Sequence, residues 1–268
     1  MFMARATTVV VRGGGDLGSG VALRLWRAGF TIAVLESNAP VAVRRTVSLC
    51  EAVYDGEASV EELQGVLVTS ALEMPTVWSR GFVPVLVDPQ ARSVGELSPV
   101  ALVDAILAKR NIGTSISMAP LTIGLGPGFT AGGDVTAVVE TNRGPHLGRV
   151  LWHGGAEPNT HHPAPVSGYA EERVLRSPSD GPLKVLRDIG SLVEPGDVLA
   201  SVAGEPIAAP FRGMVRGMAR PGLVVGQGMK VGDLDPRLDP GLCSLVSDKS
   251  LAIAGGVLEA ICMYLRDN

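Results

Sequence analysis

The stretch Gly13-Gly14-Gly15-Asp16-Leu17-Gly18 reads G-x-G-x-x-G. The chemistry this pattern serves is the holding of a pyrophosphate. Gly13 allows a tight turn, Gly15 lets phosphate oxygens reach the backbone, and Gly18 lets a helix pack closely. The free N–H groups at the helix start then face the anion. Alone the pattern is common, so its surroundings decide its weight. It follows the β-branched run at residues 8–12 and opens a stretch with Val21, Ala22, Leu25 and Trp26 at helical spacing. A second strand at residues 31–35 leads to Glu36, 23 residues after Gly13, where a ribose-binding acid belongs. A carboxylate there accepts from both ribose hydroxyls and repels a 2′-phosphate, so NAD or another dinucleotide is the expected cofactor. The rival reading is a fold of this type that binds something else or nothing.

Other candidates sit where strands are expected to end. Thr69 and Ser70 close a strand, as does Asp88, and ligand crevices of open α/β sheets lie at such carboxyl ends. Arg44-Arg45 reads as a solvated helix face or a phosphate contact. Gly124-x-Gly126-Pro127-Gly128 follows an apolar strand, and its successive N–H groups form an anion nest or a plain turn. Arg143 lies in the loop after a further strand that ends on Glu140. With Gly126 and Gly128 it is expected to form a second wall of the crevice. His146, His153, His161 and His162 all lie within 17 residues of Gly/Pro-rich chain. Their spacing fits no zinc motif, so they read as a surface loop and no metal is assigned.

The elements that must position these residues begin as strand, glycine loop, helix, strand, a βαβ unit whose crossover makes the strands parallel. Residues 65–69 and 82–87 read as buried strands, with a short helix at 73–80 between them. Ser98 as N-cap with Pro99 at N1 predicts a helix over 98–109. Strands follow at 121–125, 135–140 and 148–152. Gly190-x-x-Val193-x-x-Gly196-x-x-Leu199 recurs as Gly222-x-x-Val225-x-x-Gly228-x-x-Val231, an offset of 32 residues that implies two intertwined β-units. A final apolar helix is expected at 250–265, with Gly255-Gly256 inside it either allowing a close approach or marking its true start.

Composition narrows the classes. The net charge of −4 gives no electrostatic footprint for nucleic acid. Hydrophobic residues at 46% against 19% charged describe a globular chain. Cys50, Cys243 and Cys262 are far apart and odd in number, which argues against a disulfide framework. The N-terminus lacks an apolar h-region, and the uncharged run at 112–133 is broken by Pro120 and Pro127. A cytoplasmic, non-membrane protein is expected, and a homo-oligomer is compatible with everything above.

The order of motifs along nearly the whole chain carries a resemblance. It runs through residues 9–18, Arg44-Arg45-x-Val47, Glu51-Ala52-Val53-Tyr54-Asp55-Gly56, Leu125-Gly126-Pro127-Gly128-Phe129, Glu140-Thr141-x-Arg143-Gly144 and Leu147-Gly148. Val231-Gly232-Asp233-Leu234-Asp235-Pro236-Arg237, Ser247-Asp248-Lys249 and Gly255-Gly256-Val257-Leu258-Glu259-Ala260 follow. This order resembles the YqeB-type accessory proteins of selenium-dependent molybdenum hydroxylases. His161-His162 departs from it, because a smaller residue is expected there. The N-terminal part is similar to xanthine dehydrogenase maturation factors. The repeat region resembles biotinyl/lipoyl-type barrels, but the hairpin tip near Ala203-Gly204-Glu205 lacks the lysine that carriers modify.

The fold class expected from residues and resemblance together is α/β: a Rossmann-type parallel sheet, then a mixed middle region and a small all-β barrel-sandwich-like domain. The expected divisions are a nucleotide-binding domain at 1–110, a middle α+β domain at 111–175 with 238–268, and the barrel at 176–237. The resemblance implies a maturation role, with the molybdenum cofactor as a bound species and a molybdenum hydroxylase as partner. The first expected function is thus an accessory protein that binds a nucleotide or a nucleotide-bearing molybdenum cofactor in the Rossmann crevice. The alternatives are an NAD-dependent oxidoreductase acting on a small metabolite and a non-enzymatic NAD-sensing module. The absence of a crevice histidine for acid–base work counts against the oxidoreductase.

Overall fold

A computed structural model describes residues 7–159, 162 and 165–268. The chain divides into two compact units. The first comprises Met1–Pro40, Ser48–Asn159 and Val246–Asn268, and the second Val41–Val47 and Thr160–Leu245.

The first unit is built on one nine-stranded sheet. In chain order its elements are β1 (Thr8–Arg12), α1 (Asp16–Arg27), β2 (Thr31–Glu36), α2 (Ala52–Asp55), β3 (Glu57–Val60), β4 (Leu63–Val68), α3 (Met74–Ser79), β5 (Val83–Val87), α4 (Val94–Leu97), β6 (Ala101–Asp104), β7 (Leu121–Leu125), β8 (Ala137–Val139), β9 (Val150–Leu151) and α5 (Asp248–Asp267). The strands lie in the order β3-β4-β5-β2-β1-β6-β7-β8-β9. The run from β4 to β8 is parallel throughout, and β3 and β9 pair antiparallel at the two edges. Strand β1 is rich in valine and almost wholly buried, as a central strand should be.

This sheet corrects the expected fold class. It is one large mixed sheet that runs without a break through residue 110, and it is not a Rossmann-type parallel sheet followed by a separate mixed region. The physical difference lies in the connections. A Rossmann sheet is covered on both faces by crossover helices. Here β6 joins β7, and β7 joins β8, through irregular chain, and α4 before β6 has only four residues. The helix expected over 98–109 is replaced by β6. Ser98 stands at φ 44° as the residue that closes α4, so it cannot N-cap a following helix. Its apolar run Ala101-Leu102-Val103 is wholly buried, beside β1 on one side and β7 on the other.

Among the described residues only α1 and α5 are long, and they pack against each other. Glycine sets how closely. A Cβ on Gly20 would strike Ser250 and Val246, and a Cβ on Gly256 would strike the Gly148 carbonyl. Gly255 meets open space, and α5 begins seven residues earlier, at Asp248, capped by the Ser247 hydroxyl, which accepts from the Ser250 N–H at 3.1 Å. Gly256 is thus the close approach, and neither glycine is the helix start.

In the second unit the strands are β10 (Val174–Arg176), β11 (Gly181–Val185), β12 (Leu192–Val193), β13 (Val198–Val202), β14 (Glu205–Ala208), β15 (Gly213–Met218), β16 (Val224–Val225) and β17 (Lys230–Asp235). They form two four-stranded antiparallel sheets, β10-β17-β15-β12 and β14-β13-β11-β16. The 32-residue sequence offset carries each strand of one sheet onto the corresponding strand of the other. The two sheets share one core, in which Leu175, Leu183, Val193, Leu199 and Val202 are matched by Ile207, Val215, Val225, Val231 and Leu234. The halves also exchange turns: the Gly190 N–H donates to the Val215 carbonyl, and the Gly222 N–H to the Leu183 carbonyl. Residues 41–47 complete this unit. The Val43 side chain and carbonyl fill the space where Gly217 lacks a Cβ, the buried Arg44 donates to the Leu242 and Leu245 carbonyls, and Arg45 donates to the Met218 carbonyl and Asp188. The arginine pair is a tether and not a solvated helix face.

The adjacent glycines of α5 give a paired test. Gly255→Ala should stabilise by about 0.5–1 kcal/mol, the helix-propensity gain with no clash. Gly256→Ala should gain the same propensity but lose about 1–3 kcal/mol or more to overpacking. Urea unfolding of the two variants should therefore move the midpoint in opposite directions.

Candidate functional site

The sequence Val9-Val10-Val11-Arg12 ends β1 at the sheet's carboxyl edge, and the glycine loop turns there. Gly13 has φ 100°, a conformation that favours glycine, and its N–H donates to the Leu35 carbonyl at 2.8 Å. A Cβ on Gly18 would run into the Gly13 carbonyl, so this glycine sets the helix-to-loop distance. Gly15 faces open space and starts α1 without a side-chain cap of its own, at the helix end that favours negative charge.

Glu36 lies beside this loop but faces it. Its Oε1 accepts from the Gly14 N–H at 2.6 Å and its Oε2 from the Ser37 N–H at 2.7 Å. The carboxylate therefore caps the glycine loop. Burial raises its pKa above the ordinary glutamate range, although the bonds from Gly14 and Ser37 pull the other way. The loop is held from its other side too: the Gly14 carbonyl accepts from the Ser19 hydroxyl at 2.8 Å and from the Cys50 N–H at 2.9 Å.

Next to Arg12 and the loop lies a buried polar cluster that the sequence reading missed. Arg12 donates to Thr114 at 2.8 Å and to the Pro89 carbonyl at 2.7 Å, and lies 3.4 Å from Asp104. Thr114 in turn donates to Asp104 at 2.6 Å. This cluster ties the ends of β1 and β6 to residues 105–120, and its groups face one another.

A cavity of about 90 Å3 opens at the same edge. Leu17 comes from the first turn of α1, Leu107 and Lys109 from the loop after β6, Leu125 and Pro127 from the end of β7, Thr141 from the loop after β8, and Lys249 from the first turn of α5. The backbone that presents these groups is tightly specified. Leu107 and Lys109 both hold left-handed conformations, at φ 60° and 63°, which cost energy for residues with a Cβ. Behind them, a Cβ on Gly128 would come within 2.6 Å of the Arg110 backbone. A Cβ on Gly126 would collide with the Thr141 hydroxyl. The Gly126-Pro127-Gly128 turn thus positions Lys109, Thr141 and Pro127 around one space.

The two lysines differ. Lys109 donates to the Asn159 side chain at 2.7 Å. Lys249 is half-buried and has no hydrogen-bond or ion-pair partner among the described residues. Burial, and then the positive charges of Arg143 and Lys109, hold its pKa below the ordinary lysine range, with Asp16 and Glu140 opposing. Glu140 is itself committed, since it accepts from the N–H groups of Thr141, Asn142 and Glu157 at 2.6–2.7 Å.

Of the residues expected at the site, Gly13, Gly14, Gly15, Asp16, Leu17, Gly18 and Glu36 gather at the loop, and Gly126 and Gly128 shape the adjoining cavity. Arg143 stands beside that cavity in a two-bond surface pair with Asp248, at 2.8 and 3.0 Å, and does not line it. Thr69 and Ser70 lie at the end of β4, with β5 and β2 between them and β1, and both donate to Glu73. Asp88 accepts from the Ser93 N–H and hydroxyl, a turn role. Among the histidines, His162 pairs with Glu171 at 3.0 Å at the surface, and His161 lies outside the described residues. The described residues contain no group of three or more side chains suited to a metal ion. Nor do they contain a helix long and apolar enough to cross a membrane.

No protein-family model matches the chain. The chain is 49% identical to YqeB of Escherichia coli (strain K12) over 258 residues, 96% of its own length and 48% of that protein. The chain spans about half the length of the curated relative it matches. Among solved structures, an aspartoacylase family protein from Mesorhizobium loti shares 14% identity at a TM-score of 0.27, covering 86% of this chain and 85% of its own. The ectoine utilization protein EutE (DoeB) from Ruegeria pomeroyi shares 11% at a TM-score of 0.26, covering 86% of each chain. Overlaps this slight carry nothing about fold or activity.

The cap on the loop is testable through stability. Glu36→Ala leaves the Gly14 and Ser37 N–H groups without their acceptor and should cost about 1–3 kcal/mol in urea unfolding. Glu36→Gln keeps one acceptor and removes the buried charge. Because the folded pKa of Glu36 is raised, the folded state takes up this proton first as pH falls. Wild-type stability relative to Glu36→Gln should therefore rise as the pH is lowered through that pKa, and the gain should be lost again at higher pH.

Proposed function

We propose that this chain is an accessory protein in the maturation of selenium-dependent molybdenum hydroxylases, and that it binds a nucleotide or a nucleotide-bearing molybdenum cofactor as cargo. The binding place is the carboxyl edge of the large sheet. One observation carries the ligand half of this reading: the uncapped start of α1 and a cavity lined by Lys109 and Lys249 share that edge. Both favour negative charge, as a phosphate-bearing ligand requires. The pathway half rests on the likeness to YqeB and on the family resemblance of the motifs.

The NAD-based readings stand as the alternatives: Glu36 already accepts from the Gly14 and Ser37 N–H groups, so a ribose would share the remaining lone pairs of its carboxylate. The site residues carried into this proposal are the loop at Gly13, Gly14, Gly15, Asp16, Leu17 and Gly18, the turn at Gly126 and Gly128, and the two lysines.

Melting-temperature shifts with molybdopterin dinucleotide, NAD and NADP test the ligand. A shift with the pterin dinucleotide and none with the nicotinamide cofactors is expected. Gly15→Val should abolish that shift while leaving the unliganded melting temperature nearly unchanged, because the new side chain enters open space. Deleting the gene in its host should leave the hydroxylase polypeptide present but inactive. A fully active hydroxylase in the deletion strain would overturn the pathway assignment.

A further inference from the structure

The cavity by the glycine loop is lined by two lysines. Lys249 is half-buried, shares the lining with Lys109, and finds no hydrogen-bond or ion-pair partner among the described residues. Burying a cation without a partner is unfavourable, and proteins meet that cost with a counter-charge or a shifted pKa. Asp16 and Glu140 supply some counter-charge, but burial and the positive neighbours outweigh it. Arg143 and Lys109 add positive charge, Asp248 is bound to Arg143, and Glu140 is bound to three backbone N–H groups. Asp16, in the first turn of α1, is the one further acid acting on Lys249.

The ligand that complements this lining is therefore an anion. The cavity's volume of about 90 Å3 sets its size. One water needs on the order of 10–15 Å3 of accessible space, so there is room for a tetrahedral oxyanion. The Thr141 hydroxyl adds a donor, while Leu17, Leu107, Leu125 and Pro127 keep the walls apolar, which strengthens any charge pairing inside.

We propose that this cavity is a phosphate subsite, with Lys249 as its principal charge and Lys109 as the second. It deepens the ligand reading above, on which it rests for the identity of the molecule that carries the phosphate. The strained loop is part of the device: Leu107 and Lys109 hold left-handed backbone, and both line the same cavity as Lys249. Arg143 reinforces the local positive potential without lining the cavity.

Isothermal titration at fixed ionic strength, with inorganic phosphate, pyrophosphate and ADP as probes, tests the proposal on the whole chain. Saturable phosphate binding is expected in the wild type. Lys249→Gln should weaken it at least tenfold, and Lys249→Arg should keep it within a few-fold. Equal affinity in wild type and Lys249→Gln, or no saturable binding, overturns the subsite. Tighter binding of ADP than of phosphate assigns the group to a nucleotide, and equal affinities assign it to a free oxyanion; either outcome supports the subsite.

A second measurement needs no cavity variant. When Lys249 carries labelled Nζ-methyl groups, phosphate should raise the pH midpoint of their NMR titration, because an adjacent anion favours the charged amine. A midpoint unmoved by saturating phosphate overturns the proposal even if Lys249→Gln fails to fold. Phosphate binding with a fully matured hydroxylase in a Lys249→Gln host supports the subsite and removes the maturation reading. A maturation defect in that host without any phosphate binding to the wild-type protein overturns the subsite alone.

Discussion

The hydrogen bond from the Gly14 N–H to Glu36 organises the carboxyl edge of the large sheet. It fixes the end of β2 to the loop that follows β1, so two neighbouring strands terminate as one piece. A loop of three glycines is otherwise the most freely moving segment a chain can have, and it loses the most entropy on ordering. The carboxylate, the Ser19 hydroxyl and the Cys50 N–H together offset that loss. Once the loop is held, the start of α1 is held, and Gly20 brings α5 against it. Lys249 reaches the cavity only because that chain of contacts is complete.

This ordering explains why charge collects where it does. The carboxylates of the edge are spent inward: Glu36 on the loop, Glu140 on the chain after β8, Asp104 on Thr114 and Arg12. Each satisfies backbone or buried groups that would otherwise be orphaned, which costs more than the bond itself returns. The cations are not spent in the same way. Arg12 is enclosed in its cluster, but Lys109 and Lys249 line an open space. The net charge of the chain is negative, so the local positive field there arises from arrangement and not from composition.

Much of this was legible in the sequence, and the rest failed for definite physical reasons. The βαβ start was readable because glycine spacing, helical periodicity and strand composition agreed. The facing of Glu36 was not, since an acid at that position satisfies the pattern equally whether it points to a ribose or to Gly14. Residues 98–109 misled because a short buried strand flanked by β1 and β7 shares its apolar density with a helix, and Ser98-Pro99 imitates an N-terminus. The fold class failed with it, because without that helix the sheet simply continues past β6. Lys249 stood in a recognisable motif, yet nothing in its spacing pointed to Leu17 or Pro127. Only the packing of α5 joins residues so far apart in the chain.

The second unit shows how far a repeat constrains a fold and where it stops. Five pairs of core residues obey the 32-residue offset, so the shared core is duplicated almost position by position. The symmetry ends at the strand tips. Val202 closes β13, and Ala203 and Gly204, both at positive φ, make a two-residue hairpin into β14. The equivalent of Ala203 is Asp235, which is wholly buried. Burial alone would push its carboxyl up, but bonds from Arg237, with the charges of Arg237 and Arg216, hold it below the ordinary aspartate range. Nearby, Arg173 pairs with Asp233 at 3.1 Å, so this end of the unit is stitched by charge where its twin is closed by a turn. A buried ionic cluster of this kind is weak evidence for stability, because its desolvation cost nearly cancels its gain. What it does supply is a polar difference between two halves whose apolar residues could otherwise exchange places.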